Sequence, residues 1–226
     1  MRHLLQPRVL RTASIAAAVG ALACYPQLSL WLHRPEPVWY LEASVFVGSI
    51  ILWGFVFAWH VPYTGHPVFS FKLEPRPFIA ATLIAVVTAV VFHNWLDPSL
   101  RPKFPDEYPS DFQHWLASVL FVLTFSQLFL IFAPFDWLLR LFKNRWVAAT
   151  LLAVLGTVLL AMKINNKSAS LPPQVLALLF GGRIMSGFLL AALYWRGGVI
   201  LVGWWSLLLQ CRFLLDYTGH AGLPGS

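Results

Sequence analysis

The sequence predicts an all-α, polytopic membrane protein, a helical bundle of about seven transmembrane helices in a single domain spanning residues 1–226. Three observations predict it. Of the 226 residues, 58% are hydrophobic and 11% are charged, against about 25% charged in a soluble domain. So few charges cannot cover a water-soluble globule, but they suffice for loops between membrane spans. The apolar residues fall into runs of about 20, the length a helix needs to cross a ~30 Å hydrocarbon core. Eleven Trp and eighteen Phe match the aromatic belts of membrane–water interfaces.

The first span is residues 12–32, with Pro26 as a kink. Arg2, Arg8 and Arg11 precede it, and Ala21-Leu22-Ala23-Cys24 lies within it, a layout similar to a signal peptide. Apolar residues continue past Pro26 to Leu32, which reads as an uncleaved span. The second span is residues 39–61, stopped by His60 and Pro62. The third is residues 77–96, and the fourth is residues 112–133. Asp136, just after Pro134, is then placed to cap a short helix over residues 137–142. The fifth span is residues 146–162, the sixth 173–195 and the seventh 199–215. Between spans lie prolines and charges, above all residues 97–111, with four acids and four prolines.

Charge sets the orientation. With the N-terminus inside, Arg2, Arg8, Arg11, Lys72, Arg76, Arg140, Lys143, Arg145 and Arg196 are cytoplasmic. Arg34, Arg101, Lys103, Lys163 and Lys167 are external. Cytoplasmic loops of membrane proteins carry the excess of Lys and Arg, so the N-terminus is expected in the cytoplasm; the lack of targeting signals suits a bacterial plasma (inner) membrane. The net charge of +7 belongs to these loops and to lipid headgroups, not to nucleic acid. Cys24 and Cys211 both sit in apolar runs and read as packing residues. Ala81, Ala85 and Ala89, and Ala149, Ala153, Thr157 and Ala161, form small-residue ridges that let helices approach closely in lipid.

Two stretches carry a family resemblance. One is Leu193-Tyr194-Trp195-Arg196-Gly197-Gly198-Val199-Ile200-Leu201, an apolar-aromatic-Arg helix end, a Gly turn and a new helix. The other is Ser126-Gln127-Leu128-Phe129 followed by residues 138–146. Together, over about residues 112–216, they resemble the CPBP family of intramembrane proteases, which includes CAAX-processing and bacteriocin-processing enzymes. The resemblance implies a catalytic Glu pair followed by an Arg, and His residues on later helices. Here Ser126-Gln127 stand at the Glu pair, Ile131 or Phe132 at the Arg, and Leu207 and Cys211 at the final His and Asn. No His occurs between His114 and His220. Hydrolysis needs a water activated by a carboxylate or a metal, and Gln127 cannot take a proton near neutral pH. These departures from the family's pattern point to a catalytically degenerate protein, and with no Cys/His cluster or Gly-rich phosphate loop no cofactor is expected.

Polar residues inside spans are the remaining candidates, because they are costly there. Arg183 sits mid-span. It reads either as a cation that pairs with a substrate carboxylate or a buried acid, or as a snorkelling or structurally paired Arg. Gln127 and Gln210 either cluster with Arg183 or make interhelical hydrogen bonds. Arg212 and Asp216 form an i,i+4 pair. Glu42, His60, His93 and His114 include metal-ligand types, but their expected positions at opposite faces argue against a shared zinc ion. The binding candidates are thus Arg183, Gln127, Gln210 and Ser126. Besides the lipid bilayer, the expected partner is a membrane protein or lipid-anchored peptide. An atypical active protease and a small transporter or assembly subunit are the alternatives.

Overall fold

The structure, a computed structural model, describes residues 6–31, 36–71, 74–167 and 171–215. Six helices are long and apolar enough to cross a membrane: α1 (Pro7–Ser29), α2 (Val38–Thr64), α3 (Pro75–Leu100), α4 (Phe112–Phe142), α5 (Arg145–Asn166) and α6 (Pro173–Phe213). The chain is a multi-pass membrane protein built as a helical bundle, and the described residues contain no β-strand. Its outer surface is apolar, with Leu22 at 69%, Val87 at 63% and Met185 at 74% exposure. Such a surface is stable against lipid and not against water.

The count of six corrects the expected seven. The two last expected spans belong to one helical run, α6, which is folded upon itself. Gly198 is its one non-helical residue, at φ 61° and ψ −153°, and the freed Val199 N–H donates to the Val68 carbonyl (3.0 Å). The two limbs run in opposite directions. Phe92 of α3 packs near Gly182 on the first limb and lies 5.5 Å from the Arg212 guanidinium on the second. The return limb, residues 199–213, rises about 22 Å at ~1.5 Å per residue. That is shorter than a ~30 Å core, and the return limb is counted with the first limb as one of the six long helices although it runs back from the first end of the bundle to the Asp97 end.

The fold has two ends. The first holds the start of α1, residues 65–71, the α4–α5 turn and the Gly198 turn; Phe69 bridges Gly198 there. The second holds residues 101–111, the end of α5 and the end of the return limb. There Lys163 donates to Glu107 (2.5 Å) and Lys167 to Asp106 (2.9 Å), tying the α3–α4 loop to α5. Asp111 caps α4 by accepting from the His114 backbone N–H (2.9 Å). That bond holds the Asp111 carboxyl below its ordinary range.

Small residues set the packing. Ala13, Ala17, Ala21, Cys24 and Leu28 form the buried stripe of α1, and Ala81 and Ala85 that of α3. On α5, Ala149, Ala153 and Gly156 are buried against the first limb of α6. A Cβ on Gly187 would lie 2.8 Å from the Ala153 Cα, so the backbones are nearly in contact. Pro26 does not interrupt α1.

A second correction concerns α4. Pro134 does not end it, and Asp136 caps no new helix, because α4 continues to Phe142. The π turn Leu128–Phe132 lies just before Pro134. A proline in a helix clashes with the carbonyl four residues back, and a π turn widens the backbone there. The π turn Phe92–Leu96 precedes Pro98 in α3 in the same way.

Gly198 gives a direct test. A Cβ there would sit 2.2 Å from the Val68 carbonyl oxygen, on a backbone that L-residues avoid. Gly198→Ala is expected to cost at least ~2 kcal/mol, read as the shift in unfolding of the purified protein in mixed detergent micelles.

Candidate functional site

The most buried polar cluster joins α2, α4 and the first limb of α6. Asp136 is 1% exposed, His60 and Tyr194 0%. The Tyr194 hydroxyl donates to Asp136 Oδ2 (2.7 Å), and His60 Nδ1 donates to Asp136 Oδ1 (3.2 Å). The His60 and Tyr194 rings stack at 4.5 Å, and Phe132 packs on Tyr194 at 4.8 Å. Nearby, the Arg140 guanidinium lies 4.2 Å over the Trp59 ring. In a neutral imidazole that donates through Nδ1, Nε2 is a lone-pair acceptor, and this buried atom has no hydrogen-bond partner. The pair resembles a base oriented by an acid. Yet it is sealed: no part of the His60 or Tyr194 side chain reaches the surface.

The sequence pointed elsewhere. Gln127, 8% exposed, lies between two π turns of α4, Val122–Ser126 and Leu128–Phe132. Its amide N–H donates to the Ser206 hydroxyl on the return limb (2.6 Å). Its Oε1 is buried without a partner. Ser126, the residue before it, is half-buried. Gln210 stands one turn beyond Ser206; its backbone carbonyl accepts from Trp115 Nε1 (3.0 Å), and its own Oε1 is buried without a partner. Arg183 is not with them. Its guanidinium lies against Gly156 of α5, where a Cβ would meet Nε at 2.7 Å. Among the described residues, no hydrogen bond joins any two of Gln127, Arg183 and Gln210.

Arg212 pairs with Asp97 (3.1 Å) on α3; its expected partner Asp216 lies outside the described residues. Tyr108 donates to Asp97 Oδ1 (3.0 Å). Burial pushes the Tyr108 phenol up, and the Asp97 carboxylate adds to the shift. His93 and Asp97 line an open cavity of about 410 Å³ at this end. His114 lies 2.6 Å from Asp111. Among the described residues, no three His, Cys, Asp or Glu side chains are grouped as metal ligands.

Asp136 and Tyr194 were missed as partners. Asp136 looked like a cap because Pro134 looked like a helix stop, while Tyr194 looked like part of an apolar helix end. An acid flanked by Phe135 and Trp137 was the signal available, since an acid in an apolar run needs a buried donor. Comparison with protein-family models, curated proteins and solved structures gave no match.

Two outcomes test these clusters. Asp136→Ala orphans His60 and Tyr194 and should destabilise by ~3 kcal/mol, whereas Tyr194→Phe, which removes one hydroxyl, should cost ~1–2 kcal/mol; detergent unfolding curves measure both. For Tyr108 the folded phenol titrates above its unfolded value. Its stabilisation is therefore full below about pH 10 and lost as pH rises through the folded value. Ultraviolet titration should show a tyrosine resisting ionisation above pH 10, and Asp97→Asn should bring its midpoint down.

Proposed function

We propose that the chain is a divergent, catalytically degenerate relative of the CPBP intramembrane proteases, located in a plasma (inner) membrane with its N-terminus in the cytoplasm. In this reading it binds or chaperones a membrane-embedded or lipid-anchored partner. The observation that carries it is the Gln127–Ser206 hydrogen bond. Gln127 stands where the resemblance implies a carboxylate, and Ser206 lies beside the position implied for the final His. Amide and hydroxyl hold the helices together but exchange no proton near neutral pH.

Arg183 supplies the binding chemistry. It lies mid-span, half-buried, with no acidic partner among the described residues. An uncompensated cation at that depth is costly, and a carboxylate on a partner helix would offset the cost. Gly156 leaves the guanidinium its place on α5.

The second reading, an atypical hydrolase, draws on the Asp136–His60 pair and its free Nε2. Sealing of that pair from solvent weighs against it. The two readings separate in one experiment on protein reconstituted in bilayers. With transmembrane and prenylated peptides, the degenerate protein cleaves nothing. Peptides bearing a mid-span carboxylate bind it at least tenfold more tightly than they bind Arg183→Leu. Cleavage that disappears in His60→Ala would establish the hydrolase instead, and equal binding by Arg183→Leu would remove Arg183 from the site.

A further inference from the structure

At the first end of the bundle, a groove of about 180 Å³ opens between α5 and the first limb of α6. Its floor is apolar: Phe135, Ala149 and Ala191 are 1%, 6% and 2% exposed. Trp146 and Phe188 stand partly exposed at its walls. Two arginines, Arg145 and Arg196, line its mouth and are themselves exposed. The Arg145 guanidinium lies 5.2 Å from the Trp146 ring and 5.8 Å from the Trp195 ring. Aromatic faces on a guanidinium leave its N–H edge free for a planar or tetrahedral anion. Neither arginine has an acidic partner among the described residues.

Charge at this end selects the occupant. Arg76, Arg140 and Lys143 are here as well, and among the described residues Glu74 is the one exposed acid. A solvent-filled apolar groove at a membrane end is unfavourable, whereas an acyl chain fills it without cost to its own solvation. Phosphate oxygens match paired guanidiniums. We propose that this groove binds one anionic phospholipid, with its phosphate between Arg145 and Arg196 and an acyl chain against Phe135, Trp146 and Phe188. Gln127, Arg183 and Asp136 do not line the groove, although its floor residue Phe135 meets the Tyr194 ring edge-on at 5.7 Å. Lipid retention is read separately from proteolysis and peptide binding, so the two tests can fail independently.

Full-length protein in mild detergent is titrated with phosphatidylglycerol and, separately, with phosphatidylcholine of identical chains, and native mass spectrometry counts the lipids retained. Wild type should retain one phosphatidylglycerol in preference to phosphatidylcholine. At about 1 kcal/mol per basic residue, Arg145→Gln/Arg196→Gln should weaken that preference by roughly thirtyfold. Ala192→Trp keeps both arginines but fills the groove that Ala192 lines, and it should also lose the retained lipid. Circular dichroism matched to wild type qualifies each variant as folded. Preference kept in Ala192→Trp but lost in the arginine variant would mean surface charge without a groove site, and would overturn the proposal. Equal retention of the two lipids by wild type would overturn it too.

Discussion

A residue with no side chain holds the arrangement of this bundle. Gly198 turns α6 back on itself with a positive φ, pressed against the Val68 carbonyl, and every contact of the return limb depends on that reversal. The turn lets Ser206 meet Gln127, Trp204 stack on Phe78 at 5.2 Å, and Arg212 reach Asp97. It also frees a backbone N–H, and in a bilayer such a group must find an internal partner. The loop after α2 supplies one at Val68. Loop and turn therefore depend on each other: the loop satisfies the turn, and the absent Cβ admits the loop.

The interior polar groups divide into a paired cluster and a set of partial pairs. Asp136 accepts from two side chains on two other helices, so three elements share one buried carboxylate. A carboxylate away from water is costly unless donors surround it, and that cost favours the register in which both donors arrive together. The Gln127–Ser206 contact is weaker in consequence. Both partners are neutral, and Gln127 keeps an unpaired oxygen. Proton-transfer chemistry and substrate access thus do not coincide in the fold: the acid and imidazole are sealed, and the α4–return-limb contact carries neither.

The two ends of the bundle differ in kind. At the second end charges neutralise one another: Lys163 with Glu107, Lys167 with Asp106, Arg212 with Asp97. At the first end Arg140 and Arg145 lie on tryptophan faces. Cations rest on aromatic rings at the second end as well, Arg212 on Phe213 at 4.0 Å among them, but there the neighbouring acids pair with them, whereas Arg145 has an aromatic neighbour and no acidic partner among the described residues.

Composition and run length alone determined the membrane class, the helical architecture and the approximate limits of α1, α2, α3 and α5, because lipid admits few backbone solutions and each needs a long apolar run. The Gly turn was readable too, since Gly197-Gly198 interrupts an apolar run. Its consequence was not: that the turn packs on the Val68 carbonyl and sends the return limb back to Asp97 depends on contacts far away in sequence. Continuation of α4 past Pro134 depended on a π turn, which has no residue signature. The partners of Asp136 lie 76 and 58 residues away in sequence, and the Arg183 guanidinium rests on Gly156 of a different helix. Local pattern reports which side chains cannot face lipid. Which of them meet is decided by helix rotation and register, and those are set only when all the helices pack at once.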